Sequence, residues 1–122
     1  MEENKVFNGN FSNSIQLSGL IANKPVFKDF TRPNGVVSVS AQFMLTQRFV
    51  GFGGKEYTKR FLCTTRSPAI VEELKKAEKQ FYVSLLGKLD TTWNIQRQKM
   101  EYYPLIEEMA IESICKENLL WD

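Results

Sequence analysis

The sequence has no histidine, only two cysteines and no long hydrophobic run. A zinc site would lack most of its usual ligands, because histidine is missing and Cys63 and Cys115 do not form a Cys-x-x-Cys pair. Both are predicted to be ordinary thiols, one of them buried in a strand. No apolar segment approaches the roughly 18 residues that span a bilayer, and the polar start MEENKVFNGNFSNS is unlike a secretory signal. We therefore expect a cytoplasmic protein with no metal site and no membrane partner.

The sequence also lacks the motifs that would identify an enzyme. It contains no Gly-x-Ser-x-Gly segment, and VGFGGK (50–55) lacks the Ser/Thr and the helix of a phosphate-binding P-loop. Catalysis requires a positioned acid, base, nucleophile or metal, and no such set can be recognised. We expect a protein without catalytic residues that needs no cofactor.

What the sequence does contain fits one globular domain. Its 122 residues are 43% hydrophobic and 25% charged, values typical of a folded chain of this size. We expect a polar leader at residues 1–14, a folded domain at residues 15–114 and a short tail at residues 115–122. Residues 1–60 carry eight Lys/Arg against four Asp/Glu, whereas residues 61–122 carry eight against ten. This uneven distribution weakly indicates a polyanionic partner.

Alternation of apolar and polar residues predicts five strands. They lie in SIQLSGLIA (14–22), VVSVSAQFMLTQRF (36–49), YTKRFLCTT (57–65), FYVSLLGKL (81–89) and PLIEEMAIESI (104–114). Gly19 indicates a bulge or bend in the first strand. The second strand should have one wet face, because its apolar residues share one parity: Val37, Val39, Ala41, Phe43 and Leu45. Between these two strands, NKPVFKDFTRPNG (23–35) is rich in turn residues and predicts a loop.

A helix is predicted in RSPAIVEELKKAEK (66–79). Ser67 can cap it, Pro68 suits its first turn, and Ile70, Leu74 and Ala77 give it one apolar stripe. The order of three strands, one helix and two strands is typical of an all-β fold, the five-stranded antiparallel OB-fold barrel. In that fold the face of strands 2 and 3 and the loops joining strands 1 to 2 and 4 to 5 bind oligonucleotides or oligosaccharides.

The segment TTWNIQRQKMEYY (91–103) is predicted to be the loop between the fourth and fifth strands. Rings among cations suit an unpaired polynucleotide, because aromatic side chains stack on bases and Lys/Arg neutralise phosphates. Trp93 has no apolar neighbour on either side, whereas one of the two tyrosines could point into the core. The candidate contacts of this loop are Trp93, Arg97, Lys99, Tyr102 and Tyr103. The first long loop offers Lys28 and Arg32 among Phe27 and Phe30, and the strands offer Arg48 and Arg60.

Four segments resemble, in order and spacing, the bacterial single-stranded DNA-binding protein family. They are LSGLIANKP (17–25), PNGVVSVSAQFML (33–45), KRFLCTTRSPAIVEELKKAEKQFYV (59–83) and GKL (87–89), so that the resemblance covers about residues 15–114. It implies an OB-fold, no catalysis and sequence-tolerant binding of single-stranded DNA in replication, recombination or repair. It also implies a homo-oligomer, dimer or tetramer, located in the cytoplasm at the nucleoid.

The resemblance also implies site residues. The family's ring at the end of the second strand falls on Phe49, and its ring at the start of the loop after the fourth strand falls on Trp93. The basic residue within the third strand falls on Arg60, and the basic residue just after it falls on Arg66.

Two departures from the family pattern leave alternatives open. The family's two stacking rings in the third strand fall on Thr58 and Thr64, unless Tyr57 substitutes by a one-residue shift. The chain ends at ENLLWD, where the family continues into a Gly/Gln/Pro-rich linker and an acidic tip, which puts recruitment of replication proteins through such a tip in doubt.

An OB-fold accessory protein of replication restart and an OB-fold that binds only protein are the alternatives. The edge of the first strand, with the leader, is a candidate for pairing with another subunit.

Overall fold

The computed structural model describes residues 11–114 and 120–121. Its strands are β1 (Ile15–Ile21), β2 (Val26–Thr31), β3 (Val37–Val50), β4 (Glu56–Thr65), β5 (Phe81–Asn94) and β6 (Lys99–Ile114), with a helix, α1 (Pro68–Lys76), between β4 and β5. A 3-10 turn, Phe52–Gly54, joins β3 to β4. Cys115 and most of the predicted leader and tail lie outside the described residues. No helix in the described ranges is long and apolar enough to cross a membrane.

Five of the strands close into a ring, which confirms the predicted OB-fold barrel with its helix between the third and fourth ring strands. β1 pairs antiparallel with β5, β5 with β6, and β3 with β4. Two short contacts complete the ring. β4 runs parallel to β6 at Thr64↔Leu105 and Thr65↔Ile106. β1 meets β3 at Leu20↔Thr46 and Ile21↔Leu45, so one edge of Ile15–Gly19 is left unpaired within the described chain.

A sixth strand stands where the sequence predicted only a loop. β2 pairs antiparallel with β3 from Val26↔Gln42 to Thr31↔Val37 and with no other described strand. The prediction of a loop at residues 26–31 was wrong because Pro25 and Pro33 flank the strand without interrupting it. Backbone pairing with the long strand β3 outweighs the weak local β preference of Lys28 and Asp29.

The predicted loop between the fourth and fifth ring strands is mostly a paired β-hairpin, which corrects the loop assignment for Trp93 and Lys99. Pairing continues to Trp93↔Met100 and Asn94↔Lys99, so the turn occupies only residues 95–98. Asn94 stabilises this turn, because its Oδ1 accepts from the Arg97 backbone N–H at 3.0 Å. Both faces of the hairpin are exposed to solvent. Its strands therefore pair through backbone hydrogen bonds without the alternation of apolar and polar residues that marks a half-buried strand.

The helix begins as predicted. Pro68 is in its first turn, Ser67 Oγ accepts from the Ile70 N–H at 3.5 Å, and Ile70, Val71 and Leu74 are buried. Just before it, the fully buried Thr65 donates from Oγ1 to the Ile106 carbonyl at 2.8 Å and accepts from the Ser67 N–H at 3.2 Å. Thr65 therefore connects the β4–β6 contact to the start of α1.

The core lies inside the ring and under α1. Ala41, Phe43 and Leu45 are buried, as the parity of the second predicted strand requires, although Val37 at the start of β3 is 63% exposed. Cys63 is fully buried, which confirms the prediction of a thiol buried in a strand. Desolvation by burial raises the pKa of the Cys63 thiol from 9.0 to about 12.

Two glycines allow strands to approach closely. A Cβ at Gly19 would lie 2.6 Å from the Thr46 carbonyl oxygen, so β1 can reach β3 only with glycine there. The register of β1 with β5 is continuous through Gly19, so its role is close approach and not the predicted bulge. A Cβ at Gly87 would collide with the Leu105 backbone, at a register shift between β5 and β6.

Candidate nucleic-acid interface

A groove of about 790 Å³ crosses the outer side of the barrel. Its floor is the outward face of β3 and β4, where Gln42, Leu62 and Thr64 lie. β2 forms one wall, and the base of the β5–β6 hairpin forms the other. The groove thus lies on the face formed by strands 2 and 3 of the ring, which is the face that OB-folds use for ligands.

Three of the predicted cations line this groove: Lys28 from β2, Arg60 from β4, and Arg66 just after β4. None of them has a carboxylate oxygen within 4.0 Å, since the one ion pair in the described part of the chain joins Arg97 to Glu101 at 3.5 Å. Glu101 is the acidic residue of the groove, and the Asn94 Nδ2 also donates to it at 2.6 Å. The groove therefore presents three cations that have no ion-pair partner among the described residues, whereas its carboxylate, Glu101, is already bound by Arg97 and Asn94.

Two tyrosines border the groove. Tyr102 and Tyr103 lie on β6, just N-terminal to its contact with β4. At these positions no described strand covers the edge of β6 beside the groove, so that rings from both faces of the hairpin can line the wall. Tyr102 is 66% exposed. Tyr103 is half-buried, and its hydroxyl donates to Asp90 Oδ2 at 3.3 Å. The sequence left open which tyrosine points inward, and Tyr102 is the more accessible.

The other predicted hairpin residues lie farther out. Trp93 is 56% exposed and pairs with Met100, on the opposite hairpin face from the groove residues Thr92 and Glu101. Arg97 lies in the turn and Lys99 opens β6, and both are exposed. These three side chains surround the distal hairpin, away from the groove floor.

Phe49 and Tyr57 form a separate aromatic pair. They are directly opposite in the β3–β4 register, their ring centroids are 5.3 Å apart, and the Lys59 Nζ lies 5.0 Å from the Phe49 ring centroid. By alternation this is the face opposite Arg48 and Arg60. The β3–β4 register has no shift there, so Tyr57 lies on the face opposite Thr58 and Thr64.

Arg48 and Phe49 border a smaller depression of about 440 Å³ beside β1. The depression also contains Gly19 and Tyr82. The structure therefore divides the predicted residues among four places, which are the groove, the distal hairpin, the rim of the β3–β4 hairpin and, for Arg32, the position just after β2.

Sequence reasoning did not identify Leu62 and gave Phe30 no role of its own. Leu62 is 49% exposed on the groove floor, and its signal was its parity, two residues from Arg60 on the outward side of β4. Phe30 lies on the same face of β2 as Lys28, near Arg32 and Arg66. In the described ranges, no group of three or more Cys, Asp or Glu side chains could hold a metal ion.

No family model matches the sequence, and no curated protein sequence matches it significantly. Solved structures do match. One is the Plasmodium falciparum SSB complex with ssDNA, with a TM-score of 0.68, 20% identity, and coverage of 88% of this chain and 100% of that chain. Another is the small single-stranded DNA-binding protein from Streptomyces coelicolor, with a TM-score of 0.59, 17% identity, and coverage of 84% and 96%. The chain therefore has the OB-fold of these single-stranded DNA-binding proteins over most of its length.

Proposed function

We propose that this protein binds single-stranded DNA with little sequence preference, as a member of the single-stranded DNA-binding protein family. The observation that supports this most directly is the groove, in which Lys28, Arg60 and Arg66 have no carboxylate partner among the described residues and Tyr102 is exposed beside them. Of the two similar structures described above, one is a complex with single-stranded DNA and the other is a single-stranded DNA-binding protein.

The groove chemistry suits an unpaired strand. Phosphates bind the cations and release counterions, while bases stack on rings at about 1 to 3 kcal/mol each. Such stacking tolerates any sequence, because every base has a π-face. A duplex hides its bases in the interior, so Tyr102 would gain nothing from it. Trp93, Arg97 and Lys99 extend the contact along the hairpin, and Arg32 extends it past β2.

Roles in replication, recombination or repair follow from this activity, with the nucleoid as the site of action. The protein acts by binding, without a cofactor and without catalysis. We further propose a homo-oligomer, dimer or tetramer. Tyr82 and Leu86 are 44% and 43% exposed on the outward face of β5, and one edge of the adjacent strand β1 is unpaired within residues 11–114 and 120–121. These are features that a second copy could cover.

The test is a titration of the purified protein with oligo-dT and with a duplex of equal length, at low and high salt. We expect tight binding of oligo-dT that weakens steeply as salt rises, with log Kobs falling by about 0.7 per neutralised phosphate for each unit of log salt. Duplex binding should be much weaker. Failure to bind oligo-dT in dilute buffer would refute the proposal.

The same titration distinguishes the alternatives. A replication-restart accessory protein would bind DNA through cations with little contribution from rings, so Tyr102→Leu would leave its affinity unchanged. The threonines at Thr58 and Thr64 on the outward face of β4 are the features that favour this candidate. A protein-binding OB-fold would show no oligo-dT binding at any salt concentration.

A further inference from the structure

The groove ends beside an aromatic ring that contacts two guanidinium groups. Phe30 lies on the same face of β2 as Lys28, one two-residue step along the strand, and pairs with Ser38 of β3. The Cζ atoms of Arg32 and Arg66 lie 5.2 and 5.8 Å from the centroid of the Phe30 ring. Two cations from distant segments therefore meet at one half-buried ring.

Both arginines keep hydrogen-bond donors available. Arg32 donates from Nε to Ser38 Oγ at 2.7 Å, which fixes the guanidinium beside the ring and leaves its terminal nitrogens for another acceptor. Neither arginine has a carboxylate within 4.0 Å in residues 11–114 and 120–121. Two like charges held near one ring without a counter-ion repel each other, so an anion bound there would relieve that repulsion.

The position of this cluster relative to the groove identifies the anion. Arg66 lines the groove itself and shares its outward parity with Thr64 and Leu62, so the cluster continues the groove floor beyond the end of β4. A strand lying along the floor past Arg60 would place its backbone over Arg66 next. Guanidinium groups bind phosphate through two parallel N–H donors, which gives both affinity and orientation.

We propose that Phe30 positions Arg32 and Arg66 as a phosphate clamp, which binds the phosphodiester backbone of a single strand at the β2 end of the groove. This inference rests on the proposed function and adds a positioning residue, Phe30, to it. Extra phosphate contacts at this end compensate for the threonines at Thr58 and Thr64, which cannot stack on bases. Phosphate contacts should therefore contribute more to the affinity than base stacking does, and the affinity should depend steeply on salt.

The test is the salt dependence of oligo-dT binding. For the double variant Arg32→Gln with Arg66→Gln, we expect the slope of log Kobs against log salt to fall in magnitude by about 1.4. This value corresponds to about 0.7 for each of the two phosphate contacts that are lost. Phe30→Leu keeps both charges, so a ring that only fills space would leave the slope unchanged. We expect Phe30→Leu to reduce the slope, and Phe30→Tyr to restore the parent value because the aromatic face is retained.

Lys75→Gln is the matched control. The Lys75 Nζ lies 5.8 Å from the ring of Phe27, on the opposite face of the same strand, so its loss should leave the slope at the parent value. An unchanged slope in the folded double arginine variant would overturn the clamp while leaving single-strand binding intact. A parent protein that ignores oligo-dT would instead refute the proposed function. Thermal unfolding of each variant establishes that it is folded.

Discussion

The rings of Phe49 and Tyr57 stack with their planes 19° apart, on the opposite face of the β3–β4 hairpin from Arg60. A strand in the groove can contact Arg60 directly, but it must pass around the hairpin to reach this pair. The two sets of predicted contacts are therefore separated by the thickness of the sheet.

This separation predicts a dependence on oligonucleotide length. OB-folds bind about 4 to 16 nucleotides each, so oligo-dT of about 6 and about 16 nucleotides sample the two ends of that range. Tyr57→Ala should weaken binding of the longer oligomer by about 1 to 3 kcal/mol and leave the shorter one unaffected. Arg60→Ala should weaken both and reduce the salt slope by about one ion. The measurement is fluorescence anisotropy of labelled oligomers.

Tyr57→Phe serves as the conservative control, because it keeps the ring that stacks on Phe49. Lys76→Ala, which removes an exposed cation from α1, controls for net charge. Equal losses for the two oligomers with Tyr57→Ala would contradict the separation of the two surfaces.

The two tryptophans should report differently on binding. Trp93 is exposed on the hairpin, whereas Trp121 is half-buried and packs edge-on against Phe81, with ring centroids 6.2 Å apart. Poly-dT should quench Trp93 emission by stacking, and Trp93→Phe should abolish the fluorescence change while Trp121 emission stays constant. Intact binding with unquenched Trp93 would remove this residue from the interface.

The hydroxyl of Thr65 should contribute to stability. Its loss in Thr65→Val leaves the buried Ile106 carbonyl and the Ser67 N–H without this partner, which costs about 1 to 3 kcal/mol in the free energy of unfolding. Urea denaturation measures the difference. Thr65→Ser keeps the hydroxyl and should lose less. A Thr65→Val variant as stable as the parent would show that the β4–β6 contact does not depend on this bond.

The buried Cys63 thiol should lower stability at alkaline pH. Its folded-state pKa of about 12 exceeds the ordinary 9.0, so between these values the unfolded chain releases a proton that the folded chain retains. The free energy of unfolding should therefore fall as pH rises through this window, by up to about 1.4 kcal/mol per pH unit from this group. Below pH 9 the effect should be absent.

Urea denaturation at pH 8 and pH 10.5 measures this effect, in a Cys115→Ser background that leaves one thiol. Cys63→Ala in the same background is the control, since lysines and tyrosines titrate alike in both proteins. Equal pH dependence in the two variants would contradict the assignment.

Much of the barrel was predictable because alternation reports burial directly. Ala41, Phe43 and Leu45 had the parity of a core face, and the structure buries all three. The same parity placed Phe49 on the core side of β3, where it lies opposite Tyr57. Local patterns of this kind determine which face a residue occupies.

The parts that were missed depend on long-range pairing. β2 forms because β3 offers it an edge, and the distal hairpin forms although neither of its faces is buried. The meeting of Arg32 and Arg66 at Phe30 depends on the first of these pairings, since β3 holds β2 on one edge and the end of β4 on the other. No spacing in the sequence indicates that contact.

The barrel closes between β4 and β6 over only two residue pairs, and the groove lies across that narrow join, with Thr64 on one side and Tyr103 and Pro104 on the other. A polymer bound there would connect the two strands from outside, at one of the two short contacts that close the ring. Binding in the groove would then stabilise the β4–β6 contact, so that local opening of the barrel is rarer in the bound protein than in the free protein.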